Sequence, residues 1–160
     1  MLKPRIIPFL LIQNNGLIKT VQFKNEKYVG DPINAVRIFN EKKADEIIII
    51  DKDPSLKNLE PNFRLISNLA EECQMPMTYG GGINSVDQAE KIFTLGVEKI
   101  SLSSGYFSNK NLVNKLVDLV GGQSIAITLD VKKSFLGKYE IFTHGGKIKV
   151  KAKLENVIKE

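Results

Sequence analysis

Met75-Pro-Met-Thr-Tyr79-Gly-Gly-Gly82-Ile-Asn-Ser85-Val-Asp-Gln-Ala-Glu-Lys-Ile-Phe-Thr-Leu95-Gly-Val-Glu-Lys99-Ile-Ser-Leu-Ser103 contains the repeating unit from which the rest of the chain can be read. Met75–Tyr79 is an apolar run of strand length, and the glycines after it bend the chain. Ser85 is a helix N-cap, and Val86–Leu95 carries apolar residues at spacings of three and four. Lys99–Ser103 is a second strand-length run. Strand, helix and strand in this order describe a βαβ unit, whose two strands lie parallel.

The same alternation extends in both directions. Ile6–Ile12, Glu46–Ile50 and Ser124–Leu129 are further short runs, mostly apolar on both faces, as parallel strands covered by helices require. Pro32–Lys43, Asn62–Cys73 and Lys110–Val120 have helical periodicity, and Asp31 before Pro32 is an N-cap followed by a first helical residue. Ala35-Val-Arg-Ile-Phe39 and Ala89-Glu-Lys-Ile-Phe93 repeat A-x-x-I-F, an echo expected of a barrel assembled from repeated βα pairs. After Asp130, Phe135–Thr143 and Lys147–Lys151 flank His144-Gly-Gly146 and predict a β-hairpin, with a helix beginning in Lys151–Glu160. The fold class is α/β, in one domain spanning residues 1–160. Five strands allow either an open doubly wound sheet or an incomplete (β/α)8 barrel, since a full TIM-type barrel takes about 250 residues.

Charge and composition narrow the function. Lys and Arg number 23 against 18 Asp and Glu, but residues 1–130 are balanced and the whole excess of +5 falls after Asp130. A basic hairpin and tail without aromatic RNA motifs or Cys/His fingers gives no reason to expect nucleic acid as a partner. One Cys (Cys73) and one His (His144) supply neither an intrachain disulfide nor a His/Cys zinc site. No apolar run reaches membrane-spanning length, and Pro4, Pro8, Gln13 and Asn14 interrupt the segment where a signal peptide would be apolar. A cytoplasmic protein without a membrane partner is expected.

Candidate chemistry gathers at the strand ends. The Gly80-Gly81-Gly82 loop before a helix suits close approach of a phosphate, although the glycines also suit a plain chain reversal. Ser103 and Ser104, after the next strand, would stand beside it. Asp130 and Asp51 end strands at the carboxyl side of the sheet, the position of acid/base groups and equally of loop caps. Arg5, Glu46 and Lys99 begin three strands and would meet at the opposite end, where a salt-bridged ring would satisfy them.

Taken together, Arg5-Ile-Ile-Pro8, Gly30-Asp-Pro32, Tyr79-Gly-Gly-Gly-Ile83, Gly96-Val-Glu-Lys-Ile100-Ser101 and Leu129-Asp130 resemble the cyclase subunit of imidazole glycerol phosphate synthase, over the chain from its start to about residue 147. The resemblance implies a (β/α)8 barrel that pairs with a glutaminase subunit. Ammonia would enter through the barrel floor and be added above to a phosphorylated substrate, giving imidazole glycerol phosphate and an aminoimidazole carboxamide ribotide in histidine biosynthesis. It implies no metal and no cofactor. By the same resemblance Asp130 is a catalytic acid/base, while Lys19, Gly81, Gly82, Ser103 and Ser104 bind substrate phosphate. Arg5, Glu46 and Lys99 belong to the ammonia gate, and Thr78 and Ser101 line the channel above it.

Two departures qualify this. Leu11 stands where the histidine enzyme has a second catalytic aspartate, and leucine can move no proton. Leu17-Ile-Lys-Thr-Val-Gln-Phe23 and Lys27-Tyr-Val-Gly-Asp-Pro-Ile33 look closer to a paralogue associated with amidination of a surface-polysaccharide sugar, in which the barrel delivers ammonia to another enzyme. The chain also ends after its fifth strand, where the family continues, so C-terminal truncation and a non-catalytic remnant form the remaining expectation. Exposed edges on the first and fifth strands would follow.

Overall fold

The computed structural model describes residues 4–57, 59–135 and 137–159; Leu136, within the predicted hairpin, and Glu160, at the end of the predicted last helix, lie outside them. Five parallel strands form its centre: β1 (Phe9–Gln13), β4 (Ile47–Asp51), β5 (Met77–Gly80), β6 (Lys99–Leu102) and β7 (Ile125–Ile127), adjacent in chain order. The crossovers carry α1 (Pro32–Glu41), α2 (Asp53–Lys57), α3 (Phe63–Glu72), α4 (Val86–Thr94), α5 (Ser104–Ser108) and α6 (Lys110–Val120). Three of the four long helices start at a capping side chain, at Asp31 and Ser85 as predicted and at Asn62. Asp31 accepts from the Asn34 amide at 2.9 Å, Asn62 from Leu65 at 3.1 Å and Ser85 from Gln88 at 3.3 Å.

Strand order and helix placement decide between the two α/β architectures. A doubly wound sheet reverses its strand order and covers both faces. Here the order is sequential, and α1 packs on α3, α3 on α4, and α4 on α6 as one layer. Register confirms the sidedness. Leu10, Ile12, Ile47, Ile49, Met77, Tyr79, Ile100 and Leu102 alternate along their strands and are buried with Val36, Ile66, Leu69, Ile92 and Leu116 of the helices in one cluster. The opposite row holds Phe9, Leu11, Ile48, Ile50, Thr78, Gly80, Lys99 and Ser101 and faces the barrel interior. The fold is that of an incomplete TIM-type barrel.

Two expectations need correction and a third is extended. The chain turns out of β1 through Asn14 and Asn15, at φ 50° and 58°, into a hairpin of β2 (Gly16–Val21) and β3 (Lys24–Gly30) that itself turns through Gln22 and Phe23, at φ 50° and 65°. β2 pairs antiparallel with β1 at Leu11–Gln13, so the predicted exposed edge of the first strand is covered there. Asp130 does not end the fifth strand. β7 stops at Ile127, the Thr128 amide makes one more bond to Leu102 at 2.9 Å, and Asp130 opens β8 (Asp130–Lys133). Finally, the predicted C-terminal hairpin, β9 (Tyr139–Thr143) and β10 (Ile148–Lys153), belongs with β8 to a separate three-stranded antiparallel sheet, followed by α7 (Leu154–Lys159). Among the described residues no helix is long and apolar enough to cross a membrane.

Candidate functional site

The interior row of the strands opens, at their carboxyl ends, into a cavity of about 970 Å³. Lys19, Gly81, Gly82, Ser101, Ser103, Ser104 and Asp130 all line it, together with Leu11, Asp51, Lys52 and His144. The hairpin β2–β3 forms one wall and the three-stranded sheet another. Lys132 joins them, donating to the Gly146 carbonyl at 2.5 Å with its ammonium 5.3 Å from the Phe23 ring centre.

Asp130 is half-buried here. Burial pushes its carboxyl above the usual range, while the Gly146 amide and the charges of Lys132 and Lys52 oppose that shift. Asp51, 3% exposed, is pushed up to about 6, chiefly by burial, although the Asp53 amide donates to it at 2.9 Å. Both carboxyls line the mouth of the cavity, and burial favours the protonated form of each. Asp51 follows Ile47 and Ile49 in the helix-facing row and so approaches the cavity from its edge, whereas Leu11 presents an apolar side chain on the interior row.

The glycine loop has two uses. A side chain at Gly81, held at φ 130°, would collide with the Asp51 carbonyl, and one at Gly82, at φ 70°, with Pro54. The glycines therefore let β5 leave the sheet tightly against β4. Two of the loop amides are already engaged, Gly82 with Ser55 Oγ at 3.2 Å and Asn84 with Gln88 Oε1 at 3.0 Å. Ser104 Oγ, at the cavity wall, accepts from the His144 amide at 3.3 Å, and a hydroxyl that accepts can still donate.

At the amino ends of the strands, Glu46 accepts from Arg5 Nη1 and from Lys99 Nζ, the latter at 2.7 Å. These two cations hold its carboxyl below the usual range, with Lys99 the larger influence. Thr78 and Ser101, both buried, lie on the interior row above this triad, Ser101 at the cavity wall with its Oγ bonded to Thr128 Oγ1. Among the described residues no three His, Cys, Asp or Glu side chains converge as metal ligands would.

A family model described as histidine biosynthesis protein matches residues 5–160. The chain belongs to that family. It is 51% identical, over its whole length, to a protein of Leptospira borgpetersenii provisionally named imidazole glycerol phosphate synthase subunit HisF. Over 91% of its length it is 54% identical to a protein of Vibrio vulnificus provisionally named subunit hisF3, and 49% identical to one of Pseudomonas aeruginosa provisionally named subunit hisF2. It spans 63%, 56% and 58% of these three relatives. Lys52, Glu26, Thr128 and His144 were not singled out from the sequence as parts of this site. Lys52 between Asp51 and Asp53 has the composition of an ordinary loop, and only the β4 register turns it inward.

Proposed function

We propose that the chain forms the ammonia-receiving portion of a cyclase-type barrel subunit. A glutaminase partner would dock at the floor, and ammonia would pass Arg5, Glu46 and Lys99, then Thr78 and Ser101, into the cavity beside Asp130. The observation that carries this is the paired Glu46 triad at one end of the interior row and the half-buried Asp130 at the other. Glu46 fixes both cations, and a small neutral molecule needs only one of them to swing aside, the exposed Arg5 being the freer. Above, Lys19, Gly81, Gly82, Ser103 and Ser104 would hold the phosphate of the acceptor. In the family chemistry the products are imidazole glycerol phosphate and an aminoimidazole carboxamide ribotide.

A second reading is favoured by Leu11. One positioned proton transfer accounts for ~10²- to 10⁴-fold in rate, and the interior wall at position 11 offers none. Conduction of ammonia toward amidino-group formation on a surface-polysaccharide sugar fits that wall better than ring closure does. The two are separated by turnover of the bis-phosphorylated ribulosyl aminoimidazole carboxamide with ammonium salts. The purified chain is expected to give no product, and product abolished by Asp130→Asn would establish the cyclase. Glutamine-dependent ammonia release by an added glutaminase, raised by the parent chain and lost in Glu46→Gln, would support conduction.

A further inference from the structure

One buried cation in the cavity has no role in the readings above. Lys52 follows β4, and its amide donates to the Ile12 carbonyl at 3.0 Å, so the ladder with β1 continues through it. By alternation it shares the interior row with Ile48 and Ile50. It is 8% exposed and lines the cavity with Lys19, Ser103, Ser104 and Asp130. Its ammonium donates to Glu26 Oε1 on β3 at 2.5 Å, while the Glu26 side chain is 42% exposed. The Gln13 amide, nitrogen turned toward the carboxylate, donates to Glu26 Oε2 at 3.1 Å.

An ammonium has three N–H donors, and among the described residues Glu26 is its one hydrogen-bond acceptor. Two donors are therefore unspent on a cation more than nine-tenths buried. That is an expensive arrangement for a simple surface staple, because desolvation of the ammonium offsets much of the attraction to Glu26. The same two donors suit an incoming anion. Phosphate matches better than carboxylate, because Lys19 and the hydroxyls of Ser103 and Ser104 line the same cavity and can serve further oxygens.

We infer that Lys52 is an anion receptor of this cavity, taking a phosphate oxygen of the ligand, with Glu26 as the resident counter-ion against which that phosphate competes. This rests on the reading of the cavity as a site for a phosphorylated ligand and adds to it a residue outside the glycine and serine loops. Competition gives the two partners opposite signs. Removing Lys52 removes the receptor, whereas neutralising Glu26 releases it.

The test is titration of the full chain with inorganic phosphate at constant ionic strength, followed by calorimetry or by ³¹P line width. Lys52→Met is expected to weaken binding ~10-fold, the equivalent of one charge-assisted hydrogen bond. Glu26→Gln is expected to tighten it several-fold, and Lys52→Arg to retain it. Unchanged affinity in Lys52→Met, or weakening in Glu26→Gln, would overturn the inference and leave the pair as a staple between β4 and the hairpin. Should Lys52→Met fail to fold, the sign of the Glu26→Gln effect decides alone. If Ser104→Ala weakens binding while both Lys52 and Glu26 variants leave it unchanged, the phosphate cavity stands and Lys52 does not belong to it. Absence of phosphate binding by the parent chain would overturn both.

Discussion

The two ends of the parallel strands treat ionised groups in opposite ways. At the floor, Glu46 receives two cations and its carboxyl is held below the usual range, so its charge lowers the energy of the folded chain. At the mouth, Asp51 and Asp130 are raised by burial, so their charges increase it. Glu46 precedes β4 and Asp51 ends it, and the helix-facing row between them is apolar. Stability alone would place Asn or Ser at positions 51 and 130. Desolvated carboxyl groups at one end only are what the chemistry proposed for the mouth would need, and a charge-satisfied floor is compatible with the entrance proposed there.

The largest expected effect breaks the mouth and leaves the floor intact. Gly81→Ala forces a Cβ onto the Asp51 carbonyl at a φ that L side chains rarely adopt. Left-handed strain and overpacking together cost ~3–5 kcal/mol, measured by urea unfolding. In whatever fraction stays folded, the Glu46 carboxyl followed by NMR should keep its low titration. Loss of that low titration as well would show that the two ends are not independent.

Asp51→Asn sharpens the comparison in the other direction. A carboxyl raised in the folded state from 3.8 to about 6 binds protons more tightly folded than unfolded. Its penalty is absent below pH 3.8, grows as pH rises toward 6, and is complete above that. The shift corresponds to about 3 kcal/mol, and the weaker acceptor left for the Asp53 amide returns ~1 kcal/mol. The variant should therefore be more stable than the parent by about 2 kcal/mol at pH 8, with the advantage gone near pH 4. Equal stability at pH 8 would remove the argument that the mouth is under electrostatic strain.

These contrasts also explain what the sequence made legible. The five strands and four long helices announce themselves through apolar runs and capping residues, because the helix-facing row must be apolar at every second position. Arg5, Glu46 and Lys99 could be placed together because each stands at or shortly before the start of a strand, and strand starts share one end of a parallel sheet. The hairpin β2–β3 was hidden. Lys24-Asn-Glu-Lys-Tyr28 is exposed along its length and has no buried alternate face, so no period-two pattern marks it. The nearest signal was Asn14-Asn15, the two-residue turn from β1 into β2, whereas the β2–β3 turn at Gln22-Phe23 adopts positive φ without a Gly, Asn or Asp to announce it. Asp130 was misplaced for a related reason. The apolar run Ser124–Leu129 continues past the last ladder bond, and nothing local records that the chain changes sheets at Leu129.

The smallest effect tests the floor. Glu46→Gln keeps the shape and one acceptor oxygen but removes the charge shared by Arg5 and Lys99. Arg5 is largely exposed and Lys99 about one-third exposed, so solvent screens both attractions and the loss should be ~1 kcal/mol. The sign is opposite to that of Asp51→Asn. A carboxyl lowered in the folded state stabilises above its unfolded value of about 4.5, and that contribution is lost as pH falls through the still lower folded value. The parent should exceed the variant at pH 7, and the gap should close toward pH 3. Added salt should narrow the gap at pH 7 because the pairs are partly exposed. A gap that persists at pH 3 would mean that Glu46 supports the floor through packing, and the electrostatic contrast between the two ends would reduce to the mouth alone.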